Sequence, residues 1–276
     1  MERTVINLPS GIELEFDSQK HQYFRDGRQV QGVTKIAGMM GDPGWRIPWT
    51  GNMAEARAKR ILKGYVCGDG FIVGEEKQHE IDEVNYPRIA KSIGRAHRLA
   101  SDRAIDFGNA AHGWLETFVN WKMGRGSEPT KLKNREVRAA VAPFFDWSCK
   151  YGPDYIATEQ FVYYEGYVGD FYFDYAGTLD VRFILDDRHC IGDFKTAKKL
   201  STDYVWQMAL YSAACEQSYP GRAVDDMYIF KLPKTVDGKL LPWMMKTIQV
   251  DDVYRTLAPH LAAAKLKDLE ARKLLL

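Results

Sequence analysis

Cysteine is scarce in this chain. Four of 276 residues are cysteine (Cys67, Cys149, Cys190 and Cys215), and no two have the C-x-x-C spacing. That excludes a zinc knuckle and an iron–sulfur cluster clamped by clustered thiols, and it predicts reduced, buried cysteines in a cytosolic protein. An excess of one charge is also missing. The 38 Lys and Arg residues against 37 Asp and Glu leave a net charge of +1, so any nucleic-acid surface must be local. No apolar run is long enough to cross a bilayer, and the start carries no signal-peptide pattern. Repeats and low-complexity tracts are absent too. What remains is a globular balance, 45% hydrophobic and 27% charged, at a length that suits one elaborated core with an appended segment.

Hydrophobic periodicity orders the chain. Alternating stretches through Gly11–Phe16, His21–Arg25 and Gln29–Val33, with Asp26-Gly27 between the last two, predict short strands in hairpins. Residues 33–63 look helical, broken by Gly41-Asp42-Pro43-Gly44 and Pro48, and Gly64–Gly74 is a glycine-rich connection. From Tyr86 to Met123 the spacing of Phe107, Ala111, Trp114, Phe118 and Trp121 predicts a long helix with one apolar stripe. A second helix is expected over about 134–149. Strands follow at about 156–164, 171–185 and 188–195. A helix capped by Ser201 or Thr202 should reach about Glu216, before strands near 226–232 and 243–250 and a last helix from Asp251. This order predicts an α/β sandwich around a mixed sheet. Residues 1–85 are expected to form an N-terminal hairpin and helical extension, and 86–276 the core.

The hairpin around Asp186-Asp187 carries the chemistry. A two-residue turn sets Asp180 directly opposite Asp193; a four-residue loop leaves them diagonal neighbours roughly 7–8 Å apart. Leu179, Val181, Phe183, Leu185 and Phe194 read as the core-facing side, which leaves Asp180, Asp193 and Lys195 together on the other. Two close carboxylates repel unless a cation or proton lies between them, and hard oxygen donors favour Mg2+ or Mn2+. Lys195, two residues beyond Asp193, can stabilise phosphate charge or is a plain ion-pair partner. His112 and Glu116 share a helix face, with Gly108 one turn earlier. Gln207 and Tyr211 repeat the four-residue spacing, as groups to hold DNA or as a surface amide and an anchoring tyrosine.

In combination these residues resemble the RecB-like branch of the PD-(D/E)XK nucleases, which includes CRISPR-associated adaptation nucleases, the mitochondrial genome maintenance exonuclease and many phage exonucleases. Four motifs stand in family order: Gly108-Asn109-Ala110-Ala111-His112-Gly113-Trp114-Leu115-Glu116, Tyr175-Ala176-Gly177-Thr178-Leu179-Asp180, Gly192-Asp193-Phe194-Lys195-Thr196 and Gln207-Met208-Ala209-Leu210-Tyr211. His21-Gln22-Tyr23-Phe24 through Gly32-Val33-Thr34 is similar to an N-terminal segment of phage members.

The resemblance implies a restriction-endonuclease-like core. It implies His112, Asp180, Asp193 and the Phe194 carbonyl as ligands to Mg2+ or Mn2+, and Lys195 as catalytic lysine beside Asp180 and Asp193. Glu116 and Glu159 would lie nearby. With no cysteine after Cys215, an iron–sulfur cluster is not expected, which favours cluster-free exonucleases. The implied function is hydrolysis of DNA from single-stranded or duplex ends, in recombination, repair or replication, by a cytoplasmic, phage-type enzyme working with a strand-annealing or recombination partner and away from membranes. A structure-specific endonuclease and a silent DNA-end-binding protein are the alternatives.

Backbone contacts are assigned to Arg95, Arg98, Lys198 and Lys199, within wider basic clusters at Arg88, Lys91 and Arg103, and at Lys131, Lys133, Arg135 and Arg138. Trp45, Trp49 and Phe71 could stack on bases. Residues 43–74 are expected to form an arch that admits strand ends.

Overall fold

The computed structural model describes residues 3–40, 91, 96–236 and 239–273. It divides into one unit of Met1–Asp42 with Gly108–Leu276, and a second of Pro43–Phe107. In the second unit Lys91 and residues 96–107 are described, and all are helical. The expected arch, with Trp45, Trp49, Cys67 and Phe71, and the cationic Arg88 and Arg95, lie outside the described residues.

The elements run β1 (Thr4–Asn7), β2 (Glu13–Asp17), β3 (Gln22–Arg25), β4 (Arg28–Gly32), α1 (Val33–Met40), α2 (Ala96–Lys122), α3 (Arg135–Tyr151), β5 (Asp154–Val168), β6 (Phe171–Leu185) and β7 (Arg188–Lys195). They continue with α4 (Thr202–Ser218), β8 (Asp226–Lys231), β9 (Lys234–Val236), β10 (Lys239–Leu241), β11 (Met244–Gln249) and α5 (Asp252–Lys273). Asn134 starts α3 by accepting from the backbone N–H groups of Glu136 and Val137, and Gly152 ends it in the left-handed region. Ser201 starts α4 without a side-chain cap. Strands β1, β9 and β10 were not expected: each has only three or four residues, too few to show alternation.

Nine strands form one mixed sheet in the order β1-β2-β3-β4-β6-β7-β8-β11, with β5 paired to β6. The pairs β4/β6 and β7/β8 are parallel and the others antiparallel. Helices cover both faces. On one, Ile36 of α1, Met208 and Ala214 of α4, and Ala258 and Ala262 of α5 share a core with Tyr175, Leu179 and Ile191. On the other, Phe144 and Trp147 of α3 pack edge-on against Phe194 and Phe183, and both meet Phe230. The sequence-derived expectation of a mixed central sheet flanked by helices therefore describes the protein.

Three details differ from expectation. Residues 3–32, read from sequence with the N-terminal segment 1–85, join the central sheet, because Gln31 and Gly32 pair in parallel with Tyr175 and Ala176. A hairpin's sequence carries no mark of which strand its outer edge will meet. Cys190 and Cys215 are buried, whereas Cys149 is exposed near the end of α3. And Asp193, read as lying on the side away from the core-facing residues, is buried: with helices on both sides of the sheet, it is 3% exposed.

The long strand β6 positions the site. One edge is occupied by β5 along its length. The other is shared between β4, at Tyr175 and Ala176, and β7, from Val181 onward. Between those partners, the stretch 177–180 lies where the sheet forks. The strand also changes face there. Odd-numbered Phe173, Tyr175 and Leu179 join the α4 side, whereas Phe183 stacks on the α3 side. Opposite this switch, between the pairs Thr158↔Val181 and Gln160↔Leu179, stands Glu159 with a left-handed φ of 48°.

Candidate active site

The Asp186-Asp187 turn is two residues long: Leu185 pairs with Arg188, and both aspartates have positive φ, 50° and 61°. Both are the backbone values of a primed hairpin turn. The ladder then runs to Val181↔Gly192 and stops. One step further, the Asp180 carboxylate takes the place of a strand carbonyl: the Phe194 N–H donates to its Oδ2 at 2.7 Å. The Thr158 hydroxyl holds the Asp180 carbonyl at 2.7 Å. Asp180 is thus fixed from both neighbouring strands.

His112 reaches the same carboxylate from α2, its Nδ1 lying 3.6 Å from Asp180 Oδ2. Its ring stands edge-on to Phe194, 5.8 Å between centroids. Buried Ala111, Leu115, Phe118 and Val119 seat this part of α2 and turn His112 toward the sheet. Thr196 Oγ1 lies 3.3 Å from where a Cβ on Gly108 would stand, so glycine permits the close approach of the chain after β7.

Glu159 completes the group. His112, Glu159 and Asp180 each offer one ligand atom, and these atoms all lie within 4.8 Å of one another. Burial, reinforced by Asp180, Glu116 and Asp193, pushes the Glu159 carboxyl up to about 8. A carboxyl held that high is short of a compensating cation.

Asp193 and Lys195 form the adjoining pair. Lys195 Nζ lies 2.6 Å from the buried Asp193 Oδ2, a charge-assisted contact. Burial, opposed by Lys195 and reinforced by Asp180, raises the Asp193 carboxyl to about 6. Burial alone would depress the Lys195 amine, but Asp193 and Asp180 outweigh it and hold the amine above its ordinary value.

Gln207 and Tyr211 face inward, 5% and 4% exposed. Lys195 Nζ donates to Gln207 Oε1 at 2.8 Å, and Gln207 Nε2 donates to Asp193 Oδ1 at 3.4 Å and Thr34 Oγ1 at 3.2 Å. Tyr211 Cε1 occupies space only 2.6 Å from where a Gly177 Cβ would be, so glycine at 177 admits the tyrosine ring. Neither side chain presents the free surface that DNA contact would need, because both are spent on the α4–sheet interface.

The sequence-derived set thus divides. His112 and Asp180 come together with Glu159, and Asp193 adjoins them while contacting Lys195 and Gln207. Phe194 supplies its N–H and ring; Glu116 is half-buried one turn beyond His112. Arg98, Lys198 and Lys199 are exposed, as are Lys91, Arg103, Lys131, Lys133, Arg135 and Arg138. Thr34 was not singled out for the site, since nothing near it in sequence signals a contact with Gln207.

Two carboxylates and an imidazole, each with a ligand atom within 4.8 Å of the others, fit a hard divalent cation such as Mg2+ or Mn2+.

No protein-family model matches the sequence, and neither does any curated protein. Among solved structures, the chain is similar to a Eubacterium rectale protein whose name proposes an exonuclease, at 14% identity and a TM-score of 0.35, over 58% of this chain and 65% of that one. The match thus spans less than two thirds of that protein. It is also similar to an alkaline exonuclease from Laribacter hongkongensis, at 11% identity and a TM-score of 0.32, over 60% of this chain and 87% of that one. The dAMP complex of the Laribacter protein gives 13% identity, a TM-score of 0.31, and 59% and 87% coverage.

Proposed function

We propose that the protein is a divalent-metal-dependent DNA nuclease that hydrolyses phosphodiester bonds from strand ends. The observation that carries the reading is the meeting of His112, Glu159 and Asp180 within 4.8 Å, beside a buried Asp193–Lys195 pair, where β6 parts from its neighbours. Binding a partner without chemistry would not need three acids there, since they repel phosphate. His112, Glu159, Asp180 and Asp193 would hold the ion, with the Phe194 carbonyl as a further donor. Bound Mg2+ or Mn2+ would polarise a non-bridging phosphate oxygen and acidify water.

The chain's own groups do the rest. Asp180, tied to the Phe194 N–H, and His112, braced on the Phe194 ring, keep fixed positions without reorganising. Lys195 keeps its proton and offers positive charge to the phosphate as negative charge develops. Exposed Lys198 and Lys199, three and four residues beyond, would take flanking phosphates. Action at ends follows from the resemblance to cluster-free exonucleases, and makes recombination, repair or replication intermediates the substrates.

The test compares end-labelled linear DNA with a closed circle, each incubated with Mg2+, Mn2+ or chelator. Metal-dependent release of nucleotides from the linear form alone is expected. Asp180→Asn and Lys195→Ala should each fold and lose roughly a hundredfold or more of the rate. Cutting of the circle would make the protein an endonuclease. Binding without cleavage by the wild-type protein under all conditions would overturn the reading.

A further inference from the structure

Gln207 has both ends of its amide engaged, and two segments distant in sequence, β7 and α1, meet on it. The Oε1 end accepts from Lys195 Nζ; the Nε2 end donates to Asp193 Oδ1 and, on the N-terminal helix α1, to Thr34 Oγ1. Tyr211 OH also lies within 3.5 Å of Nε2. An amide can rotate by half a turn at little cost in shape, which would exchange donor and acceptor. With the opposite orientation, Nε2–H would point at the Lys195 ammonium, donor against donor. Lys195, which can only donate, and the Asp193 carboxylate, which accepts, set the orientation, and the Thr34 hydroxyl anchors the Nε2 end from α1. Thr34 is itself exposed, whereas Val33, Ile36 and Ala37 around it anchor α1 in the core.

We infer that Thr34 is a positioning residue for the proposed hydrolysis: through Gln207, it fixes where Lys195 and Asp193 point, so that the N-terminal helix sets the rate without touching substrate. The inference rests on the nuclease reading for its kinetic consequence, but its structural core, the Thr34–Gln207–Lys195 chain, does not. It also reassigns Gln207 from DNA contact to support of the amine. A DNA-contacting glutamine and a positioning glutamine fail differently. Loss of the first weakens DNA binding; loss of the second leaves binding intact and slows turnover.

Thr34→Val removes the oxygen at nearly constant shape on an exposed position, and Thr34→Ser restores it. Gln207→Leu removes the whole bridge. Expected for Thr34→Val is a fall in kcat of roughly three- to tenfold with KM for DNA within about twofold of wild type, and for Gln207→Leu a fall of roughly 30-fold or more with the same split. Thr34→Ser should return to within about twofold of wild type. The second readout is independent of cleavage: in protein labelled with 15N-lysine, the Lys195 Nζ–H signal, assigned by its loss in Lys195→Arg, should shift or broaden in Thr34→Val and Gln207→Leu but not in Thr34→Ser.

If the wild-type protein cuts no DNA yet the Lys195 signal responds in this pattern, the nuclease reading falls and the positioning stands. Wild-type kcat and an unmoved Lys195 signal in Thr34→Val would overturn the inference. So would a rise in KM with unchanged kcat in Gln207→Leu, which would return the glutamine to DNA contact.

Discussion

At the scale of single residues, the site is a set of like charges placed close together, and Glu159, though partly exposed, is one instance. Its carboxyl is raised to about 8 by burial and by the neighbouring carboxylates Asp180, Glu116 and Asp193. Below the unfolded value, near 4.5, both folded and unfolded chains hold the proton and ionisation costs nothing. As pH rises toward 8 the unfolded chain ionises while the folded one stays protonated, so stability falls across that window. Glu159→Gln has no such window. In chelator, the variant should therefore be more stable than wild type at pH 8.5, by about 2 kcal/mol after discounting for partial exposure, or roughly 4–8 °C in Tm. At pH 4.5 the two should nearly coincide. Thermal melts at both pH values check this; equal differences at the two would show that Glu159 carries no ionisation cost. Adding Mn2+ should narrow or reverse the gap at pH 8.5, because only the wild-type chain has the carboxylate to gain a cation.

At the scale of elements, the β6–β7 hairpin supplies Asp180, Asp193 and Lys195, and its neighbour β8 fixes its height. Gly192 sits where a Cβ would lie 2.7 Å from Phe230 Cε2 and 2.8 Å from Val181 Cγ1, between a ring on β8 and a methyl on β6. Phe230 cannot swing away, since it is fully buried and packed against Phe144, Trp147 and Phe194. Gly192→Ala should cost about 1–3 kcal/mol by overpacking. It should also slow any metal-dependent cleavage more than it destabilises, because Asp193 is the next residue along the displaced strand. Denaturant unfolding and single-turnover rates measured together test this; an alanine variant as stable as wild type would show that the strands part freely.

This hairpin was legible from sequence because a tight turn and strict alternation fix a register. The change of face at Asp180 was not, and neither was the left-handed Glu159 opposite it, since a non-glycine residue at positive φ leaves no compositional trace. For the same reason alternation placed Leu179 and Phe194 on one surface, whereas Leu179 belongs to the α4 side. Glu159 was noted only as a neighbour, and its place in the ligand group follows from that local twist. The inward turn of Gln207 was equally hidden: it arises from contacts with residues 34, 193 and 195, which no window on α4 contains.

At the scale of the whole molecule, the N-terminal strands decide whether there is a site at all. Reading residues 1–85 as an extension predicts that the core survives without them. The packing of residues 3–32 predicts the opposite. Leu8, Leu14 and Val30 are buried to within a few per cent in a cluster with Tyr23, Tyr163 and Ala176. The Tyr23 hydroxyl meets Thr178 at 2.9 Å, and Arg28 clasps the buried Asp174. Burying Leu8, Leu14 and Val30 alone is worth about 5–9 kcal/mol, against a total domain stability of about 5–15 kcal/mol. Deleting residues 1–32 would also expose the β6 edge at Tyr175 and Ala176, two residues from the fork. The truncated chain is therefore expected to lose its cooperative thermal transition and its near-ultraviolet aromatic signal, not merely to change substrate preference. A truncated protein that still melts cooperatively within about 5 °C of wild type would show that the strands are an accessory. Because the same segment carries α1 immediately after β4, the stability of the sheet and the placement of Thr34 against Gln207 are consequences of one piece of chain.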